Sequence, residues 1–77
     1  MKPPADVNTA ITTMYEMRHD LPDVMLEPLQ DLYTEYRICM RSWQAGGDEP
    51  GWNYFREAMN EMCRDEGMPL ICEEPGN

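Results

Sequence analysis

The chain has 77 residues, enough for one domain around one small core. Fifteen acids against six bases leave a net charge of −9, which argues against direct binding to nucleic acid or to an anionic membrane surface, since both need a basic footprint. The opening MKPPADV has no apolar run, so neither a secretory leader nor a membrane span is expected there.

Punctuation falls at Pro3-Pro4, Leu21-Pro22-Asp23, Gly46 to Gly51 and Gly67-Met68-Pro69, and the segments between have helical periodicity. The first helix is predicted over residues 6–19. Val7, Ala10, Ile11, Met14, Met17 and Leu21 recur at threes and fours, with Asp6 as N-cap. Thr9, Thr12 and Thr13 lower its intrinsic propensity, so packing must hold it.

The second helix is predicted over 28–45, with Pro28 in its first turn and Glu27 as cap. Residues 20–27 read either as a loop or as the start of a helix kinked at Pro28. Leu29, Leu32, Tyr33, Tyr36, Cys39, Met40 and Trp43 share one arc of ~120°, and Ile38 points the opposite way.

The third helix is predicted over 49–66. Asp48 or Glu49 caps it, Pro50 pre-sets its first turn, and Trp52, Phe55, Ala58, Met59, Met62 and Cys63 line one face. Gly67 stands where a left-handed residue ends a helix, Met68 follows within reach of Cys63, and Pro69 prevents continuation. Strand-like alternation is absent from the sequence. The expectation is therefore a single all-α, three-helix domain over 1–77, with an extended C-terminal tail and flexible ends at 1–5 and 73–77.

The letters GGDE at 46–49 resemble the start of the GGDEF signature of diguanylate cyclases. The next residue is Pro50, however, and the cyclase domain is far longer than this chain. Acids after Gly46-Gly47 would repel a phosphate, and DEPGWN lacks the alternating oxygens of an EF-hand, so no cofactor is expected.

Cys39, Cys63, Cys72 and His19 are the residues from which a metal site or a cysteine nucleophile would be built. The cysteines are odd in number and form no C-x-x-C pair, and Cys39 and Cys63 fall on apolar arcs, where a free cysteine acts as a small hydrophobe. His19 sits near the end of the first helix, where a structural role is expected. No metal and no enzymatic activity are expected, and reduced thiols fit a cytoplasmic protein. The eight methionines read either as adaptable core filler or as a partner-binding apolar surface.

The surface carries the one local inconsistency. Glu57, Glu61 and Asp65 repeat every four residues with Tyr54 beside them, a like-charge spacing that costs a helix ~0.2–0.5 kcal/mol per pair. Asp65 and Glu66 occupy the last turn, where the macrodipole prefers cations. In the second helix the charges are conventional: Asp31 and Glu35 come early, Arg37 and Arg41 late. Rules broken without compensation tend to mark function. Helical rise spaces the carboxylates of the stripe by ~6 Å, comparable with phosphates along a nucleic-acid strand.

The expected function is protein binding by a small acidic inhibitor. Asp48, Glu49, Glu57, Glu61, Asp65, Glu66, Glu73 and Glu74 would occlude the basic surface of a nucleic-acid-binding partner, with Trp52, Tyr54 or a methionine beside them as the apolar anchor. In size and charge the chain resembles phage-encoded inhibitors of host defence, of the anti-restriction and anti-CRISPR kind. That likeness is one of bulk properties and implies a viral protein acting as a nucleic-acid mimic. The alternative is a structural subunit, such as a homodimer, joined through a methionine and aromatic face.

Overall fold

The computed structural model describes residues 2–68. Three α-helices, α1 (Ala5–Glu16), α2 (Asp23–Gln44) and α3 (Trp52–Asp65), pack pairwise against one another, and a 3₁₀ turn (Arg18–Asp20) joins the first two. There is no strand among the described residues. Tyr36 meets Asn8 and Tyr33 meets Tyr15, so α2 runs back along α1; Glu35 meets Tyr54, so α3 in turn runs back along α2.

The apolar positions meet as their spacing requires. Val7, Ala10, Ile11 and Met14 from α1, Met25, Leu29, Leu32 and Tyr36 from α2, and Phe55, Met59 and Cys63 from α3 are buried together with Leu21. Tyr36 stacks edge-on against Phe55 with centroids 5.5 Å apart, while its hydroxyl donates to Asn8 Oδ1 at 2.8 Å. A buried phenol thus keeps a partner, as a polar group taken out of water must. Asn60, 1 % exposed on α3, is the buried polar residue of this core, and no buried side-chain nitrogen or oxygen among the described residues lacks a hydrogen bond.

Four boundaries differ from those expected. The first α-helix stops at Glu16 instead of continuing to His19, because Leu21 precedes Pro22 and must be extended (ψ 157°). The chain tightens into the 3₁₀ turn and buries Leu21 on the way. Asp6 is no cap: Pro4 holds that position and Asp6 lies in the first turn.

The second helix begins at Asp23, five residues earlier than expected, so Glu27 is interior and Pro28 lies inside the helix. Proline there removes one backbone bond, to the Val24 carbonyl, on a residue 67 % exposed, where water can serve it. Burying Met25 on the far side of the proline contributes ~1.5–3 kcal/mol, enough to offset most of the ~3 kcal/mol of an interior proline.

The third helix begins at Trp52 with Gly51 as N-cap, so Asp48, Glu49 and Pro50 precede it. Its end is as expected: Gly67 is left-handed (φ 69°), and Met68 N–H donates to the Cys63 carbonyl at 2.8 Å. The same closure ends α2. Gly46 is left-handed (φ 100°), and Gly47 N–H donates to the Ser42 carbonyl at 2.9 Å. A Cβ on Gly47 would stand 2.7 Å from Ser42 Oγ and 2.8 Å from that carbonyl. The Gly-Gly pair is a helix stop.

Candidate functional site

Between α2 and α3 runs a groove of about 430 Å³. Tyr54, Ala58, Glu61 and Asp65 of α3 are spaced by four, three and four residues and form one wall; Pro28, Asp31, Leu32 and Glu35 of α2 form the other. Leu32, Ala58 and Met62 make an apolar floor that is continuous with the core. Asp31, Glu35, Glu61 and Asp65 stand above it, exposed, with no basic residue among those that line the groove. Tyr54, 54 % exposed, donates its hydroxyl to Glu35 Oε2 at 3.1 Å, and that carboxylate holds the phenol above its ordinary pKa of 10.0.

This arrangement divides the expected site. Tyr54, Glu61 and Asp65 come together. Glu57, one helical turn from Glu61, is exposed but does not line the groove, and Glu66 lies beyond the last turn as the C-cap. Asp48 and Glu49 sit in the connection before α3, where Glu49 Oε2 accepts from the Trp52 indole at 3.1 Å. Trp52 is half-buried and edge-on to Trp43 with centroids 5.3 Å apart, packing the α2–α3 connection outside the groove lining. Glu73 and Glu74 lie outside the described residues.

Asp31 and Glu35 were not anticipated. Their early place in the second helix reads as ordinary dipole matching, and only the pairing of α2 with α3 brings them opposite Glu61 and Asp65. A signal for it exists in the sequence: Pro28, Asp31, Leu32 and Glu35 fall at i, i+3, i+4 and i+7, one face bordering the apolar arc.

The chain matches no family model, no curated protein and no solved structure.

Of the residues weighed for metal or nucleophilic chemistry, His19, Cys39 and Cys63 stand on three different elements. Cys63 is buried among apolar side chains, and burial pushes its thiol above the ordinary 9.0. Cys39 is half-buried on α2 and His19 is exposed in the 3₁₀ turn; Cys72 is outside the described residues. No group of three or more His, Cys, Asp or Glu side chains able to hold a metal occurs among the described residues. A second cavity, of about 600 Å³, lies between α1 and the end of α3. Met14, Met17, Leu21, Cys63 and Met68 surround it, and its one carboxylate, Asp6, is held by Arg56 at 2.7 and 3.0 Å.

Proposed function

We propose that the protein is a binding module that uses the α2–α3 groove to engage the basic surface of a partner protein. The observation that carries this reading is the combination of four carboxylates with an apolar floor in one groove. An arginine or lysine side chain has the matching construction, an aliphatic stem below a cationic head. The stem would lie on Leu32, Ala58 and Met62, and the head would meet Asp31 and Glu35 from one side and Glu61 and Asp65 from the other. Glu35 accepts from the Tyr54 hydroxyl, whereas Glu61 and Asp65 repeat one charge at four-residue spacing, for which the helix accepts a small penalty.

Partners rich in such side chains include proteins that handle nucleic acid, whose basic grooves this face would fill in place of a phosphate backbone. Occlusion of that kind makes the protein an inhibitor, and an anti-restriction or anti-CRISPR role is the biological form it would take. Net charge of −9 would speed encounter with such a partner and make affinity salt-dependent.

The test is capture of partners on the tagged protein from nuclease-treated lysate, eluted with a salt gradient. The groove variant Asp31→Asn/Glu35→Gln/Glu61→Gln/Asp65→Asn is run beside it. The expected result is a nucleic-acid-handling protein released at moderate salt and lost from the variant. Undiminished capture by the variant would reject the groove as the site.

A further inference from the structure

Across α2 from the acidic groove the charge reverses. A second groove, of about 350 Å³, is lined by Tyr15 of α1 and by Tyr33, Arg37, Ile38 and Arg41 of α2, with no acid among its lining residues. Tyr15 and Tyr33 stack face to face, 3.9 Å apart and within 6° of parallel. Arg18 covers the outer face of Tyr15 at 4.2 Å, and Arg37 lies over Tyr33 at 5.9 Å. Arg18 is pinned further by donating to the Tyr15 carbonyl at 2.7 Å.

The result is a layered Arg–Tyr–Tyr–Arg face beside the exposed Arg41 and Ile38. Three of the six bases of an acidic chain are gathered here, whereas Arg56 is engaged by Asp6. Arg37 and Arg41 make no ion pair among the described residues. Ile38, which lines the same groove as Arg37 and Arg41, is a large apolar side chain 63 % exposed.

The chemistry of this face selects its ligand. Tyr15 is enclosed between Tyr33 and Arg18, and Arg37 stands over Tyr33 at 5.9 Å, so the aromatic pair is turned toward its arginines rather than toward a nucleobase. Guanidinium forks held on an aromatic stack suit carboxylates, because less side-chain freedom is lost when they pair. The opposite flank of the same helix presents carboxylates over an apolar floor of a size to receive Ile38 or an arginine stem.

We propose that the Arg37–Ile38–Arg41 face of one copy docks into the acidic α2–α3 groove of a second copy. The contact is heterologous, face to groove, so each copy offers one of each and association proceeds to a ring or an open chain instead of a two-fold dimer. The charge of −9 on each copy opposes approach at long range. Screening over about 8 Å at 0.15 M salt removes most of that repulsion and leaves the contact pairs. The inference rests on the groove being an arginine site, as proposed above, and it makes the groove self-occupied until a basic partner competes.

The experiment is sedimentation velocity on the purified chain at 0.15 M salt over a concentration series. Three samples are compared with wild type: Arg37→Glu/Arg41→Glu, Glu61→Lys/Asp65→Lys, and their equimolar mixture. Wild type is expected to gain mass with concentration. Each variant alone should associate at least about tenfold more weakly, as expected when close charge pairs are lost. The mixture should recover association, since each altered surface then meets its complement.

A wild type that stays monomeric to its solubility limit overturns the proposal, as does a mixture no better than its components. Circular dichroism confirms that each variant is helical, and Arg37→Gln/Arg41→Gln replaces any that is not. Because no foreign protein is present, failure here with partner capture intact rejects the self-contact alone. Failure of both rejects the groove.

Discussion

At the scale of single residues, Asp6 shows how a side chain expected to cap a helix does other work. Its carboxylate receives two hydrogen bonds from Arg56, which also donates to Asn53 Oδ1 at 2.8 Å. The paired guanidinium, chiefly through its hydrogen bond, holds the Asp6 carboxyl below its usual value of 3.8. A depressed carboxyl pKa contributes stability that is present above the unfolded value and lost as pH falls through the folded one. The pair is partly solvated, with side chains 20 % and 36 % exposed, so its contribution is ~0.5–1 kcal/mol. Asp6→Asn should therefore lower stability by that amount at pH 7, and denaturant titrations of the two proteins should converge as the pH is taken well below 3.8. A gap that stays constant through the acid range would show that the ion pair contributes nothing.

Cys63 and Cys39 differ in the same environmental sense. The buried thiol has its pKa raised by desolvation, whereas Cys39 is half-buried at the edge of α2. Iodoacetamide followed by peptide mapping should label Cys39 well before Cys63 in the native protein, with both labelled quickly in urea. Equal native rates would mean that the end of α3 opens readily.

At the scale of elements, α3 carries the sharpest prediction. It has no acid in its first turn, while its last residue is Asp65 and its C-cap Glu66. A cation at either position should stabilise the helix by ~0.3–1 kcal/mol through the macrodipole. The two acids differ in place, since Asp65 lines the groove and Glu66 does not. Glu66→Lys should raise the melting temperature and leave partner capture unchanged, whereas Asp65→Lys should raise it and weaken capture. Equal effects on capture would deny the groove its specificity.

The helix ends were legible where glycine and proline act alone, as at Gly67-Met68. Where two local rules compete, the sequence alone misplaces them. Pro28 suits a first turn, but the apolar series through Met25 carries the helix past it. Pro50 likewise suits a first turn, yet α3 begins only at Trp52, with Gly51 as its N-cap. Gly67→Ala forces a Cβ into a left-handed residue and should cost ~1 kcal/mol in chemical denaturation. No loss there would remove the closure of α3 from the account.

At the scale of the whole molecule, α2 divides two surfaces of opposite sign. Asp31 and Glu35 face α3, while Arg37 and Arg41 stand on the flank toward α1. Half of the candidate groove was readable from Tyr54, Glu61 and Asp65, because acids at helical spacing reveal a face. The other half was not, because which face of α2 meets α3 is decided by packing of Leu32 and Met62, and only pairing places Asp31 and Glu35 opposite. Trp52, conspicuous in the sequence, packs edge-on to Trp43 and donates to Glu49 in the connection before α3. Groove-mediated binding should also weaken steeply between low and high salt, as contact charges are screened. Affinity that is flat in salt would assign binding to the apolar cavity beside Met14 and Met68 instead.

The most direct measurement is a titration of the ¹⁵N-labelled protein with a short arginine-containing peptide, followed by amide chemical shifts. Shifts are expected to concentrate at Asp31, Glu35, Tyr54, Ala58, Glu61 and Asp65 and to be abolished by Asp31→Asn/Glu35→Gln/Glu61→Gln/Asp65→Asn. Shifts spread evenly over Asp48, Glu49, Glu57 and Glu66 as well would contradict the groove assignment, since they would report net charge and no site.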